Sequence, residues 1–148
     1  MSADESGLDR LLAMLRGAAP PPPVSELIGF RLVAAERGRT TFELEVGPQH
    51  ANPMGTLHGG VLCDVADAAM GTAWISTLGP GETFTTVELK INFLRAVRTG
   101  TLTAEGTVAK EGRTVGFTEC SVTDAGGRLV AKASSTCLTL RGEAAAGR

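Results

Sequence analysis

Asp67 lies where a charged group is least expected, within the most apolar stretch of the sequence. Residues 59–76 are predicted to form a helix, and Asp67 falls on one of its apolar stripes, between Cys63 and Met70. A carboxylate on such a surface is costly unless it is paired or used in chemistry. Asp67 is therefore either a structural acid bonded to a partner's backbone or a reactive group. Asp64, in the first turn, needs no such explanation because the helix dipole favours an acid there.

The residues that precede this helix could polarise a carbonyl group. The run 52–60 reads NPMGTLHGG and ends in Gly59 and Gly60 at the predicted helix start. Glycine permits close backbone approach, and the first N–H groups of a helix have no partner within it. A carbonyl placed there would be polarised, and the oxyanion formed by nucleophilic attack would be stabilised. With Asp67 two turns later, the pattern favours attack on a carbonyl carbon.

The same helix is apolar on two sides. One stripe is predicted to face a sheet, and a second stripe lies on the far side together with Asp67. A sheet covers one side only, so the second stripe needs another chain, and the pattern predicts a dimer. The first stripe comprises Val61, Leu62, Val65, Ala69 and Ala73, and the second comprises Cys63, Met70 and Trp74.

The remaining segments alternate as strands do. Two strands are predicted around 30–34 and 42–46, and four more follow the helix, the last reaching Leu140. In the first of these four, Val87, Leu89, Ile91 and Phe93 form an apolar face, and Thr86, Glu88, Lys90 and Asn92 form a polar face. A change of phase before Cys120 predicts a bulge. One helix among antiparallel strands predicts an α+β fold in which the sheet wraps around a central helix.

The chain is predicted to have one domain, 24–141, between two accessory segments. Residues 1–23 are expected to form a short amphipathic helix at 7–16 and a stiff link at Pro20–Pro23. Residues 142–148 are expected to be flexible. The acidic start lacks the basic residues of a secretory signal, and the apolar stretch 61–75 is too short to span a bilayer. A cytoplasmic location without membrane association is expected.

Composition excludes two other classes of function. The formal net charge of −2 argues against a nucleic-acid partner. Cys63, Cys120 and Cys137 are far apart and lack the spacing of a zinc site, so they are expected to be small apolar residues in a reducing compartment. His50 and His58 form no ligand set with them. No metal is expected.

The pattern of Asn52, His58, Gly59, Gly60 and Asp67, with the acid nine positions after the histidine, resembles the PaaI-type thioesterases of the hotdog fold. The similarity continues through residues 85–95 and the turn glycines, and it covers roughly residues 25–140. It implies a sheet wrapped around one long helix. It also implies hydrolysis of an acyl-CoA thioester, with coenzyme A as part of the substrate and no separate cofactor.

The resemblance implies roles for five residues. Asp67 would be the catalytic base or nucleophile, and the N–H of Gly59 would face the thioester oxygen. Asn52 would lie near the attacked carbonyl and the water, and His58 would hold the loop or take part directly. Thr86 would orient the water. The family's donor and acid come from opposite subunits of a homodimer, and such dimers commonly pair into tetramers.

Further residues are expected to bind the substrate. Gly60 lies beside the oxyanion donor, and the acyl group is expected next to Met70 and Trp74, which suggests an aromatic or medium-chain group. The coenzyme A phosphates require local cations, for which the candidates are Lys90, Arg95, Arg98, Lys110 and Arg113. These residues could instead be solvated charges at strand edges that guard against aggregation.

Two other functions are compatible with the pattern. A hotdog dehydratase or hydratase would use a histidine and an acid jointly on the acyl chain, whereas here His58 precedes the glycines as in thioesterases. A non-catalytic acyl-CoA-binding module would keep the basic surface but would not need Asp67 opposite a polarising N–H. Release of thiol from acyl-CoA that depends on Asp67 separates these alternatives.

Overall fold

Six antiparallel strands form one sheet in the computed structural model, which describes residues 4–146. Their order in the sheet is β1-β2-β4-β5-β6-β3, so β1 and β3 are its edges. The predicted hotdog arrangement is confirmed. The strands are β1 Phe30–Glu36, β2 Arg39–Val46, β3 Thr83–Phe93, β4 Gly100–Lys110, β5 Val115–Asp124 and β6 Leu129–Leu140.

The long helix α3, numbered after two shorter N-terminal helices, spans Gly59–Ile75 and contacts every strand of the sheet. Two glycines let the strands approach it closely. A Cβ at Gly106 on β4 would lie 2.2 Å from the backbone oxygen of Ala69, and a Cβ at Gly116 on β5 would lie 2.1 Å from the ring of Trp74. The helix is thereby seated in the concave face of the sheet, where the core forms.

The predicted division of α3 into two apolar sides is wrong for Met70 and Trp74. Their side chains are 0% and 1% exposed within one chain, and the Trp74 indole N–H donates to Thr139 Oγ1. The sheet curves around the helix, so that all six strands contact it and cover more than the single stripe that a flat sheet would bury. Of the second stripe, only Cys63 remains half-exposed, near Asp67.

Strand β5 keeps a single phase, so the bulge predicted before Cys120 is absent there. Gly116, Thr118 and Cys120 face the helix, whereas Val115 and Phe117 are exposed on the outer face. Val115 and Phe117 are apolar but face outward. If every apolar residue of the strand is placed on the inner face, the alternation seems to change before Cys120, although the strand itself keeps one phase. The irregularities involving β5 lie instead at Val108 and near Thr123.

The N-terminal segment contains two helices, α1 Gly7–Leu15 and α2 Pro23–Ile28. Pro23 begins α2 as its first residue, so the proline run ends in a helix where an extended link was expected. Ser6 caps α1, and the N–H of Gly7 donates to the carbonyl of Leu78 at 3.0 Å, which attaches α1 to the end of α3.

The C-terminal segment leaves the sheet after β6. Gly142–Ala145 form a 3-10 turn, and residues 147–148, like residues 1–3, lie outside the described residues. The flexibility expected for 142–148 stays a prediction. In the part of the chain that the structure describes, no helix is long and apolar enough to cross a membrane.

Candidate active site

Asp67 is held by a hydroxyl group from strand β3, which packs against α3. It lies half-buried in the middle of α3, and the Oγ1 of Thr86 on β3 donates a hydrogen bond to its Oδ1 at 3.0 Å. The other carboxylate oxygen, Oδ2, accepts no hydrogen bond from the described residues. One oxygen is therefore fixed and the other is available to a ligand or a water molecule.

A bulge in β3 places Thr86 where it can reach Asp67. Thr86 pairs with Cys137 of β6, but the next ladder pair is Glu88 with Thr136, so Val87 is an extra residue. Val87 is 60% exposed. The sequence pattern assigned Thr86 to the polar outer face together with Glu88, and that assignment is wrong. The bulge shifts the alternation of the strand, so Thr86 lies on the inner face together with Leu89. Bulges next to functional sites commonly redirect a side chain in this way.

Burial raises the pKa of the Asp67 carboxyl above its ordinary value, because the ionised form loses hydration. The hydrogen bond from Thr86 opposes this change by favouring the ionised form, and the nearby Asp64 carboxylate adds to the rise. A carboxylate that is costly to keep ionised accepts a proton more readily than a solvated one. Asp67 thus has the properties of a general base.

Removing the Thr86 hydroxyl is expected to move the pH profile upward. Thr86→Val removes the one interaction that lowers the pKa of Asp67, so this pKa rises further. Activity that requires ionised Asp67 is lost as the pH falls through its pKa, and the acid limb of kcat/KM moves to higher pH. Thr86→Ser, which keeps the hydroxyl, should retain the wild-type limb. The same acid limb in all three proteins would exclude this role for Thr86.

The loop before α3 is braced by Asn52. The Oδ1 of Asn52 accepts from the N–H groups of Met54 and Thr56, at 2.9 and 3.1 Å, and its Nδ2 donates to Thr56 Oγ1 at 2.9 Å. An amide nitrogen carries two donors, so one remains for a ligand. Asn52 and Gly59 line the same cavity, of about 420 Å³, which we term the Gly59 cavity.

His58 caps α3 and holds its first turn. Its Nδ1 accepts from the N–H of Gly60 at 2.9 Å, whereas the N–H of Gly59 has no hydrogen-bond partner among the described residues. The N–H of Gly60 is therefore already bonded, and contact between Gly60 and the substrate stays a prediction. Gly59 offers the free donor. The ring of Phe93 packs against Gly59, where a Cβ would lie 2.8 Å from its Cζ.

A second cavity, the Asp67 cavity, has a volume of about 330 Å³ and lies between α3 and the N-terminal segment. It replaces the pocket expected beside Met70 and Trp74, whose buried side chains offer no surface to a ligand. Met14 and Pro22 of the N-terminal segment lie on its lining, and spacing in the sequence could not position them there. Apolar residues on its lining are Met14, Pro22, Val24, Phe30, Phe42 and Ala68.

The basic residues expected to bind phosphate fall into separate places. Arg95 is exposed just beyond β3, where Phe93 pairs with Ala131 of β6. Lys110 and Arg113 lie at the other end of the sheet, near Val115, which pairs with Leu138. Ala131 and Leu138 are seven positions apart, or about 23 Å along a strand. One phosphate cannot be held by both groups within one chain.

Lys90 is not positioned beside either of these groups. It lies midway along β3 on the outer face, where its Nζ donates to Asn92 Oδ1 at 2.7 Å. Within residues 4–146, no group of three or more His, Cys, Asp or Glu side chains is arranged to hold a metal ion. The expectation that no metal or cofactor is needed stays a prediction.

Gly59 and Asp67 are too far apart to act on one carbonyl group within a single chain. They are eight positions apart on α3, which is about 12 Å along the helix axis. They also line different cavities, with no residue in common. One chain therefore presents two half-sites.

Residues 54–131 match the family model of the thioesterase superfamily. Human acyl-coenzyme A thioesterase 13 is 32% identical over 109 residues, which cover 71% of this chain and 76% of that protein. The 1,4-dihydroxy-2-naphthoyl-CoA hydrolase of Listeria monocytogenes is 30% identical over 101 residues, covering 68% of this chain and 82% of the hydrolase.

The fold is shared with the E. coli PaaI protein of the phenylacetic acid degradation operon. The two structures superpose with a TM-score of 0.81 at 22% identity, covering 93% of this chain and 98% of PaaI. At this identity the likeness concerns the fold alone. The family match and the sequence relatives carry the assignment of activity: the chain belongs to the thioesterase superfamily and is a thioester hydrolase with the hotdog fold.

Proposed function

We propose that this protein hydrolyses the thioester of an aromatic or medium-chain acyl-CoA at sites shared between two copies of the chain. One observation carries the proposal. Asp67, with its pKa raised by burial, is held by Thr86 on the wall of an apolar cavity. A carboxylate so placed can activate water next to a bound acyl group.

The reaction would proceed by addition and elimination. Asp67 takes a proton from water while the water oxygen bonds to the thioester carbon, and the carbonyl electron pair moves onto oxygen. The N–H of Gly59 stabilises that oxyanion, with the spare N–H of Asn52 beside it. The carbonyl then re-forms, the C–S bond breaks, and the coenzyme A thiolate leaves. Direct attack by the Asp67 carboxylate on the thioester carbon is the alternative first step.

Two features support assembly of the site from two chains. The half-sites of one chain are about 12 Å apart along α3, so the second half must come from elsewhere. The sheet also ends at β3, an eleven-residue edge strand that pairs with β6 alone in the described part of the chain. A long unpaired edge is a template for a second copy. The exposed Val115 and Phe117 would then allow dimers to pair into tetramers.

The Asp67 cavity suits an acyl group of intermediate size. Its volume of about 330 Å³ exceeds the roughly 150 Å³ of an apolar cavity that takes up benzene. An arylacyl group or a medium-length alkyl chain would fill it against Phe30, Phe42 and Val24. The residues that wall it on the outside belong to α1 and α2, so the N-terminal segment would set the acyl preference.

A panel of acyl-CoAs, followed by thiol release, tests the proposal. Aromatic and medium-chain substrates should turn over faster than acetyl-CoA. Val24→Trp, at a position 48% exposed, should lower kcat/KM for the larger acyl groups about tenfold or more and leave acetyl-CoA unchanged. Leu27→Trp is the matched control, because Leu27 lies on the same helix, is 85% exposed and does not line the cavity. Tight binding without thiol release would indicate a binding module.

A further inference from the structure

Three arginines surround a third cavity, which we term the arginine cavity. It has a volume of about 310 Å³, and Arg95, Arg98 and Arg128 lie on its lining. Among the described residues the lining contains one acid, Asp124. A local excess of positive charge contrasts with the net charge of −2 for the whole chain. The cavity therefore favours an anion.

The arginines retain donors for a ligand. Arg128 uses Nε to bond Asp124 Oδ2 at 2.7 Å, and Arg98 uses Nη1 to bond the carbonyl of Gly55 at 3.0 Å. The side chain of Arg95 makes no hydrogen bond within the described part of the chain. A guanidinium has five N–H donors in one plane, so each of the three residues has terminal donors left.

Backbone hydrogen bonds fix the segments that carry the arginines. The N–H groups of Leu94 and Arg95 both donate to the carbonyl of Val130, at 2.9 and 3.2 Å. Asp124 Oδ1 accepts from the N–H groups of Gly126 and Arg128, each at 3.0 Å, within the β5–β6 turn. The three guanidinium groups thus project from two segments whose backbones are fixed by hydrogen bonds. Less conformational freedom is therefore lost when a ligand binds.

The arginine cavity continues into the Gly59 cavity. Both include Arg95 and Ala96 on their linings. Phe93 and Leu94, which are 54% and 55% exposed, provide apolar surface on the Gly59 side of this junction. A ligand with its thioester at Gly59 could extend a mostly uncharged arm over this surface and place phosphate groups among the arginines.

We propose that Arg95, Arg98 and Arg128 form the site that binds the phosphates at the nucleotide end of coenzyme A. The inference rests on the proposed function, and it replaces the set that included Lys110 and Arg113. Arginine binds phosphate oxygens through two parallel N–H groups, and the cluster offers such pairs on several sides of one cavity. The chain that supplies Gly59 to a substrate therefore also supplies its phosphate site.

The experiment compares two substrates with the same acyl group. The double variant Arg95→Gln with Arg128→Gln should raise KM for the acyl-CoA about tenfold and leave kcat near the wild-type value. It should not change KM for the acyl-pantetheine thioester, which lacks the nucleotide and its phosphates. Arg98 is left intact because it also binds the Gly55 carbonyl in the loop that carries Asn52. Arg16→Gln with Arg37→Gln is the control, since it removes two exposed positive charges elsewhere.

The outcomes separate this inference from the proposed function. An equal KM for acyl-CoA in the double variant and the wild type would overturn the phosphate site, as would a tenfold rise on Arg113→Gln instead. Thiol release from neither substrate by the wild-type protein would overturn the proposed function. In that case, calorimetric titration with adenosine 3′,5′-bisphosphate still decides the arginine site: binding that the double variant weakens supports it, and binding that is unchanged or absent contradicts it.

Discussion

Replacing Asp67 with asparagine is expected to lower kcat for acyl-CoA hydrolysis by about 10²-fold or more, the loss usual for a general base. Asparagine keeps the size of the side chain and an oxygen that can accept from Thr86, but it cannot take a proton from water or attack the thioester carbon. KM should change little, because the cavity around position 67 keeps its shape. Thiol release at saturating substrate measures the effect.

Thermal unfolding supplies the control for Asp67→Asn. Because burial raises the pKa of Asp67, its ionised form is less favourable in the folded state than in the unfolded state. The variant should therefore unfold at neutral pH at the same or a higher Tm than the wild type. A reactive residue commonly has this combination of lost activity and retained stability. A large fall in Tm would indicate that Asp67 is a structural acid instead.

Replacing Gly59 with proline is expected to lower kcat by about 10²- to 10³-fold, the loss seen when one oxyanion donor is removed. Proline has no N–H, and it is well tolerated as the first residue of a helix. His58 has φ −67° and ψ 133°, an extended conformation that is compatible with a following proline. The substitution thus removes a single hydrogen-bond donor and preserves the backbone.

Gly59→Ala distinguishes loss of the donor from steric change. A Cβ at position 59 would displace the Phe93 ring in either variant, and that ring is 54% exposed and able to move. Alanine keeps the N–H, so most of the activity should remain. Equal losses in the alanine and proline variants would show that the Gly59 N–H is not the oxyanion donor.

Local features of the sequence predicted the helix of the site well, because its signals lie within one short segment. The glycines at 59 and 60 and the carboxylate at 67 follow one another along a single helix. The prediction that Met70 and Trp74 face a partner chain was wrong, because it depends on segments far from the helix in sequence. Whether they face a sheet or a partner depends on how far the sheet curves, and that is set by close packing at Gly106 and Gly116 in distant strands.

Two other parts of the site depended on information that spacing does not contain. The contact between Thr86 and Asp67 requires the extra residue Val87, and strict alternation gave no sign of it. The predicted cations do not form one group within a chain, because strand β4, Gly100–Lys110, runs between Arg95 and Lys110 and places them at opposite ends of the sheet. Arg128 comes from the turn before the last strand, and only the register of β3 and β6 brings it near Arg95.

The central claim is that Asp67 of one chain acts with Gly59 of another. Hybrid dimers of Asp67→Asn and Gly59→Pro chains, purified through two different tags, test it most directly. Each hybrid would contain one intact site and one doubly altered site, so it should recover about half of the wild-type activity per dimer, although both parents are nearly inactive. Hybrids as inactive as their parents, or a protein that remains a monomer, would contradict the shared site.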